Sequence, residues 1–503
     1  MSDSNKIESN HVTGEGDRGD VQKDLPGPKP APEAEIGDRG DRGDSSGSRK
    51  YAPETSARFP ELVDLVIKNE SVHYLVVSGG DMGATDEWRA GNGRILRPPE
   101  LDAIPYDPVS ADLVLRNIDG SAAQLYYSIL EKLRTVSVLP SDAHYHLCTV
   151  YVFFTHLSEN APYFPYLWFF GLPERGKSRM VKALTRLSWR GLYTETLNEA
   201  YIFRFAESFA GTIGLDVYEL SGQAQKKGSH DLLLGRFDEG MKVPRVIAPE
   251  KGPFKDMRYY RVAGPTILAT NAEIPAKDPL RSRCIKITMP EARGIYPNHT
   301  ESDLFELRAG LLAFRARHLN KSLPDVAKPV AGRLGDLMQP LLSVAALLPR
   351  EATENIHELI GKLETERSEA EAETLAGRIV TILFSLQNEV EGGQLPVERV
   401  TELLNGGMQE EQRISPQKVG HELSALGIER KKKQGKMHIL WIQDNMEKHF
   451  ARFGLDVDTI RKISPFSPFS QNRVVDTKNG GEMANEISPI SPQVPDDADS
   501  AID

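Results

Sequence analysis

The chain has 503 residues, 39% of them hydrophobic and 26% charged, which is enough for two or three domains with cores of their own. A formal net charge of −11 excludes a uniformly basic nucleic-acid coat but leaves room for a local basic face. The only cysteines, Cys148 and Cys284, are far apart, which argues against a disulfide framework or a zinc site and for a reducing, cytoplasmic setting.

Residues 1–57 carry few large apolar side chains and include "GDRGDRGD", so a disordered, solvated tail is expected there. No secretory leader is read, and the RGD triplets are therefore not taken as adhesion motifs. No apolar run approaches the roughly 20 residues of a membrane span. The longest, "YFPYLWFFGL", has the length of a buried strand, and no membrane partner is expected.

Residues 58–157 read as an α+β and helical lead-in. "RFPELVDLVIKNE" has the spacing of a short amphipathic helix, His73–Ser78 reads as a strand and "GRILRPPE" as another. "AAQLYYSILEKLRTV" and "SDAHYHLCTVYVFFTHL" have helical spacing, the second opened by Ser-Asp as N-cap material. Over 158–300, strand-like and helix-like segments alternate, which predicts a mostly parallel sheet covered by helices, an α/β core. Residues 301–390 read as helical, with "ETERSEAEAET" as a solvated face. Residues 391–453 read as two short helices and a basic hairpin, and 454–503, with "ISPFSPFSQN" and "ISPISPQ", as a second disordered tail.

The motif that carries chemistry is Gly171-Leu172-Pro173-Glu174-Arg175-Gly176-Lys177-Ser178, followed by Arg179. It fits G-x-x-x-x-G-K-[ST] between an apolar strand and an amphipathic helix. Glycines let backbone N–H groups turn inward on a β-phosphate. Lys177 reaches the β/γ oxygens and Ser178 ligates Mg²⁺, at the positive N-terminus of the next helix. ATP and Mg²⁺ are the expected ligands.

Such a site needs a carboxylate at the end of a neighbouring strand, and "TIGLDVYEL" supplies Asp216 for Mg²⁺. The residue after it is Val217, and the nearest candidate base is Glu219. A helical turn after Asp216 puts Glu219 on the same side; a continuing strand puts it on the other. "GPTILATNAEIP" places Thr270 and Asn271 at a strand end, where an amide can hold the attacking water and sense the γ-phosphate. "PLRSRCIKITM" puts Arg281 and Arg283 before another strand, where an arginine can serve a γ-phosphate across a subunit boundary.

That order of P-loop, acidic strand, Asn strand and Arg before a final strand resembles an AAA+ ATPase. "YLWFFGLPERGKSRMVKAL", "GTIGLDVYEL", "LLLGRFDEGMKVPRV", "YRVAGPTILATNAEIP" and "LRSRCIKITM" resemble the helicase-like modules of phage- and plasmid-type primases and replication proteins, related to superfamily 3 helicases. The resemblance spans roughly residues 58–295. It implies an oligomeric ring, a hexamer, that couples ATP hydrolysis to movement on DNA. It also implies Lys177 and Ser178 as the P-loop pair, Asp216 as the Mg²⁺ carboxylate, Asn271 as sensor and Arg283 as finger. Val217 departs from the Asp-Glu of that family.

Two segments are candidate DNA contacts. "VPRVIAPEKGPFKDMRYYRV" holds two β-prone runs about a Gly-Pro turn. As a hairpin it would resemble the one superfamily 3 helicases push into the ring channel, with Lys251 and Lys255 on phosphates and Phe254 on a base. The alternative is an exposed loop with ordinary lysines. "LPVERVTELLN", "SPQKVGHELSALGI" and "ERKKKQGKMHILWI" give helix, helix and basic hairpin, the outline of a winged helix. Lys431, Lys432, Lys433 and Lys436 would then lie on phosphates, with Gln417, Lys418 and His421 on the recognition helix, unless the module docks protein instead. The function expected is an ATP-dependent helicase or translocase of mobile-element DNA replication. A loader or remodeller of replication proteins and a non-hydrolysing, ATP-gated DNA-binding adaptor are the alternatives.

Overall fold

The computed structural model describes residues 53–455 except 227, 253, 293, 298, 299 and 301. The tails expected over 1–52 and 456–503 lie outside the described residues. Residues 53–57, expected within the first tail, hold instead the strand β1 (Glu54–Thr55), tied down by a Glu54–Arg94 ion pair.

The lead-in is a sheet structure. After β1 come β2 (Leu62–Lys68), β3 (Ser71–Ser78), β4 (Asp81–Thr85), β5 (Trp88–Arg89), β6 (Ile95–Arg97) and β7 (Val109–Ser110). They form a four-stranded sheet of order β4-β3-β2-β7 and a three-stranded one of order β1-β6-β5. The helix expected over "RFPELVDLVIKNE" is thus a strand, β2. Its first five residues are all buried, Val63 and Val66 in one apolar cluster, Leu62 and Leu65 in another. A strand covered on both faces loses its polar-apolar alternation, and the aliphatic run then imitates helical spacing.

Three helices, α1 (Ala111–Arg116), α2 (Ala122–Arg134) and α3 (Asp142–Thr155), lead into the core. Eleven of the fourteen α3 residues are buried, so α3 is a central helix with little amphipathic contrast. At its C-cap, His156 is 2% exposed and its Nε2–H donates to the Leu187 carbonyl at 3.0 Å. Burial, with Arg315 and Arg308 nearby, pushes its pKa down to about 3. Below pH ~6.5 the unfolded chain takes up a proton at this group that the folded chain refuses. Stability therefore falls as pH drops from ~6.5 toward 3, by up to ~1.4 kcal/mol per pH unit from this group alone. Thermal melts at pH 7, 5.5 and 4.5 check this. His156→Gln should flatten the decline, and an unchanged decline in the variant would assign it elsewhere.

The core follows as β8 (Tyr166–Phe170), α4 (Lys177–Leu187), β9 (Leu192–Thr194), α5 (Glu199–Phe209), β10 (Ile213–Asp216), α6 (Leu220–Lys226), α7 (His230–Gly235), β11 (Lys242–Val246), β12 (Met257–Arg261), β13 (Thr266–Thr270) and β14 (Cys284–Thr288). Five of these strands make one all-parallel sheet of order β14-β8-β13-β10-β9. β11 and β12 stand apart as an antiparallel hairpin. Its base is held by Arg236, fully buried, which donates to the Thr266 hydroxyl and to the Val262 and Pro265 carbonyls at 2.9–3.0 Å. With no carboxylate against it among the described residues, burial lowers the Arg236 pKa to about 10. Three acceptors in place of a counterion keep the cation tolerable.

The helical segment is α8 (Phe305–His318), α9 (Gly332–Ala345) and α10 (Arg350–Glu373), with α9 and α10 packed on α3. The last part has an apolar core of its own. It runs α11 (Leu375–Ser385), β15 (Gln394–Pro396), α12 (Val397–Leu404), α13 (Pro416–Ala425), β16 (Arg430–Lys433), β17 (Lys436–Leu440) and α14 (Gln443–Arg452). Leu455, expected in the second tail, is buried in that core. No helix among the described residues is long and apolar enough to cross a membrane.

Candidate active site

The loop from Gly171 to Gly176 leaves the C-terminal end of β8 and enters α4. Three of its residues have positive φ: Gly171 at 155°, Glu174 at 65° and Gly176 at 79°. Gly176 is in the left-handed region as N-cap of α4, and a Cβ there would collide with the Ser137 hydroxyl. Gly171 lies against Met289, whose atoms a Cβ there would meet at 3.4 Å, and Arg175 donates to the Met289 carbonyl at 3.1 Å. The loop is therefore held in a ring from two sides, by the turn before α3 and by the end of β14.

Lys177 is the first residue of α4 and only 5% exposed. Its Nζ donates across the ring to the Leu172 carbonyl at 2.6 Å. Burial lowers its pKa, Asp216 pulls it back up and Arg175 opposes it. A cation folded over its own loop at a helix N-terminus fits a triphosphate, which would draw Nζ off that carbonyl. Ser178 is exposed in the first turn of α4, and Arg179 is half-buried behind it.

β13, with Asn271 just past its end, lies between the P-loop strand β8 and the Asp216 strand β10. The sheet thus brings Lys177, Asp216 and Asn271 to its C-terminal edge. Asn271 N–H donates to the Tyr218 carbonyl at 3.0 Å, which ties the two loops together. Val217 N–H still donates to the Ala269 carbonyl at 3.0 Å and its side chain is buried, so the backbone stays extended past Asp216. The chain bends at Tyr218, and the Glu219 carboxylate accepts the Gly222 N–H at 2.6 Å, capping α6. Glu219 is placed first as a helix cap.

Two residues that sequence reasoning missed also stand at this edge. Leu215 pairs with Thr194, so Asp216, the last residue of β10, and Glu195, in the bend just past β9, follow side by side. Tyr193 lies two residues before Glu195 on the same face, and its hydroxyl is 2.9 Å from Asp216 Oδ2 and 3.0 Å from Glu195 Oε1. Burial and both carboxylates push the Tyr193 pKa up. Lys182 of α4 covers the Tyr193 ring at 4.8 Å and lies 3.7 Å from Glu195. The signal was present as Tyr-x-Glu in "GLYTETL", but its meaning depends on register with a strand twenty residues away.

Arg283 lies at the other edge. It directly precedes β14, whose first residue, Cys284, pairs with Tyr166 at the start of β8. The five residues of β8 separate it from its own P-loop, about 17 Å of strand. Its Nη1 donates to the Pro279 carbonyl at 2.9 Å and its guanidinium lies 5.7 Å from the Phe237 ring centre. Arg281 is paired with Glu273 at 3.0 Å.

Of the two alternatives for this segment, β11 and β12 form the hairpin. Arg245 pairs with Glu199, and Tyr260 lies 4.7 Å from Phe203, which fixes one face on α5. Its tip presents Lys251 and Lys255 around Phe254, which is 99% exposed at a φ of 69°. In the C-terminal part, Gln434 and Gly435 turn β16 into β17 at positive φ, as a two-residue hairpin demands. Lys431, Lys432 and Lys433 are exposed along β16, with Gln417, Lys418 and His421 exposed on α13. Lys436 differs, because its Nζ is 2.5 Å from Glu398, which raises its pKa.

No protein-family model and no curated protein matches the sequence. Among solved structures, the chain is similar to the apo C-terminal region of NrS-1, at 9% identity and TM-score 0.33, over 75% of this chain and 96% of that one. It is similar to the active helicase Cch of SCCmec type IV, at 14% identity and TM-score 0.35, over 76% and 80%. It is also similar to JCV helicase, at 15% identity and TM-score 0.23, over 51% and 68%. At such scores the likeness carries no weight of its own, and function rests on the site's geometry.

Proposed function

We propose that the chain is a P-loop ATPase of the AAA+ kind that acts on DNA as an oligomeric ring, a helicase or translocase in the replication of a mobile element. One observation carries this reading. A single parallel sheet gathers Lys177, Asp216 and Asn271 at one edge and leaves Arg283 at the other, a division suited to sites shared between neighbouring subunits.

Lys177 and the N–H groups of residues 171–178 would bind the β/γ-phosphates, and Ser178 and Asp216 would hold Mg²⁺. Bound there, the metal neutralises charge on the phosphates. Asn271 would position the attacking water, a carboxylate at the same edge would accept its proton, and a neighbour's Arg283 would stabilise the charge of transfer. The exposed hairpin tip, with Lys251, Phe254 and Lys255, supplies a phosphate contact and a stacking ring for a single strand. The order α11, β15, α12, α13, β16, β17 supports a winged helix, with Lys418 of α13 and Lys431, Lys432 and Lys433 of the wing toward DNA. Lys436, held by Glu398, has the weakest claim.

A second reading has one observation in its favour. With Val217 buried and Glu219 engaged as a cap, an ATP-gated DNA-binding adaptor needs no base at all. Steady-state hydrolysis with no DNA, single-stranded DNA and duplex separates the two. A motor should be stimulated by DNA, and Lys251→Ala/Phe254→Ala/Lys255→Ala should keep basal turnover while losing that stimulation. Tight ATP binding without turnover on any DNA would sink the motor and leave the adaptor.

A further inference from the structure

A cavity of about 720 Å³ opens at the N-terminal edge of the parallel sheet, between the lead-in sheet and the base of the β11–β12 hairpin. Its walls include Phe164, Arg190 and Gly264, which precede β8, β9 and β13, so it lies at the opposite end of those strands from the P-loop. Five cationic side chains line it, Arg58, Arg190, Lys242, Arg261 and Arg315, against the carboxylates Glu159 and Glu239. Arg315 is paired with Glu159 and Arg190 with Asp64 at 2.6 Å, which leaves Arg58, Lys242 and Arg261 facing Glu239 and, from α5, Glu207, whose carboxylate accepts the Arg261 N–H at 2.7 Å.

Part of this cluster is structural. Arg58 donates to the Glu207 carbonyl at 3.1 Å in the last turn of α5, and Arg190 donates to the Ala57 and Phe209 carbonyls. The rest is not. Arg190 is 3% exposed, and its Nη2 has no hydrogen-bond partner among the described residues. The same holds for Trp189 Nε1, whose ring the Arg190 and Arg315 guanidinium groups approach at 4.6 and 4.1 Å. Buried donors without acceptors are costly and rare. Burial, then Arg261 and Arg190, depress the Arg58 pKa, and Glu207 and Glu159 oppose them. Lys242 and Arg261, at paired positions of β11 and β12, are exposed on the rim.

We infer that this cavity is a second anion site, built for a phosphate group and separate from the ATP phosphates. Phosphate on a nucleic-acid strand running along the hairpin base and phosphate on a small free ligand share that chemistry. The strand source rests on the DNA reading above. A phosphate in the cavity would be met by Arg58, Lys242 and Arg261, with Trp189 in the wall.

The test uses Lys242→Gln/Arg261→Gln, two exposed positions that should leave folding intact. In the first arm, binding of a labelled 20-nucleotide oligo(dT) is followed against salt. Loss of two single-strand phosphate contacts should reduce the slope of log K on log salt by about 1.4. In the second arm, pyrophosphate is titrated into Lys177→Ala protein, which silences the P-loop, and Trp189 fluorescence is read as the difference from Trp189→Phe. A response there that the double substitution abolishes identifies a small free ligand. A reduced salt slope without that response identifies the strand. If the double variant matches its parent in both arms, the site does not exist. If the unsubstituted protein binds no oligonucleotide, the DNA reading fails by itself and the pyrophosphate arm alone decides the cavity.

Discussion

Chains carrying Lys177→Ala and chains carrying Arg283→Ala are each expected to be inactive alone and to regain ATP turnover when mixed before assembly. Lys177 sits at the C-terminal edge of the sheet, first in α4, with its Nζ over the P-loop. Arg283 precedes β14 at the N-terminal edge, about 17 Å of strand away. Held by the Pro279 carbonyl and the Phe237 ring, it cannot serve its own loop, so any γ-phosphate it meets belongs to a neighbour. Losing an arginine of this kind should cost ~10³-fold or more in turnover. Loss of Lys177 should also remove nucleotide binding, which equilibrium binding of a fluorescent ATP analogue reads directly. An equal mixture should recover roughly a quarter of the full rate, the random fraction of interfaces that join an intact loop to an intact arginine. Mixed oligomers that form without recovering turnover would place Arg283 outside the site. Unimpaired turnover by Arg283→Ala alone would do the same.

What could be read from the sequence was whatever lies in one continuous stretch. The P-loop is legible because its glycines, lysine and serine are adjacent and each answers a local demand, such as the left-handed φ at Gly176. Asp216 and Asn271 are legible because each ends an apolar run. The β11–β12 hairpin was readable from its turn, but Arg236, which carries its base, was not. Nothing local marks an arginine whose acceptors are 26 to 30 residues on. β2 was misread because burial on both faces erased its alternation. The cavity at the sheet's other edge was invisible for the same kind of reason. Arg58, Arg190, Arg261 and Arg315 come from four separate segments and meet only when the lead-in closes on the core.

The missing base gives the last prediction. Glu195→Gln is expected to cut turnover by ~100-fold or more with ATP binding retained, while Glu219→Gln costs a few-fold at most. The difference lies in what each carboxylate does. Glu219 accepts the Gly222 N–H at 2.6 Å, a bond the glutamine oxygen can also accept, so the cap survives. Glu195, in the bend just past β9, stands beside Asp216 at the end of β10, and both face the one Tyr193 hydroxyl, at 3.0 and 2.9 Å. A phenol has one proton and can donate to only one carboxylate at a time. Were Mg²⁺ held by Asp216, that hydroxyl would be free to turn toward Glu195 and fix its orientation without taking its charge. Tyr193→Phe therefore removes a positioning residue. It should lower kcat and also lower the Mg²⁺ concentration needed for half-maximal turnover, because Asp216 no longer gives up a hydrogen bond to take the metal. A purely structural role for Tyr193 would leave the Mg²⁺ dependence unmoved. The reverse ranking, with Glu219→Gln dead and Glu195→Gln active, would mean that α6 gives up its cap when ATP binds and that Glu219 turns to the water.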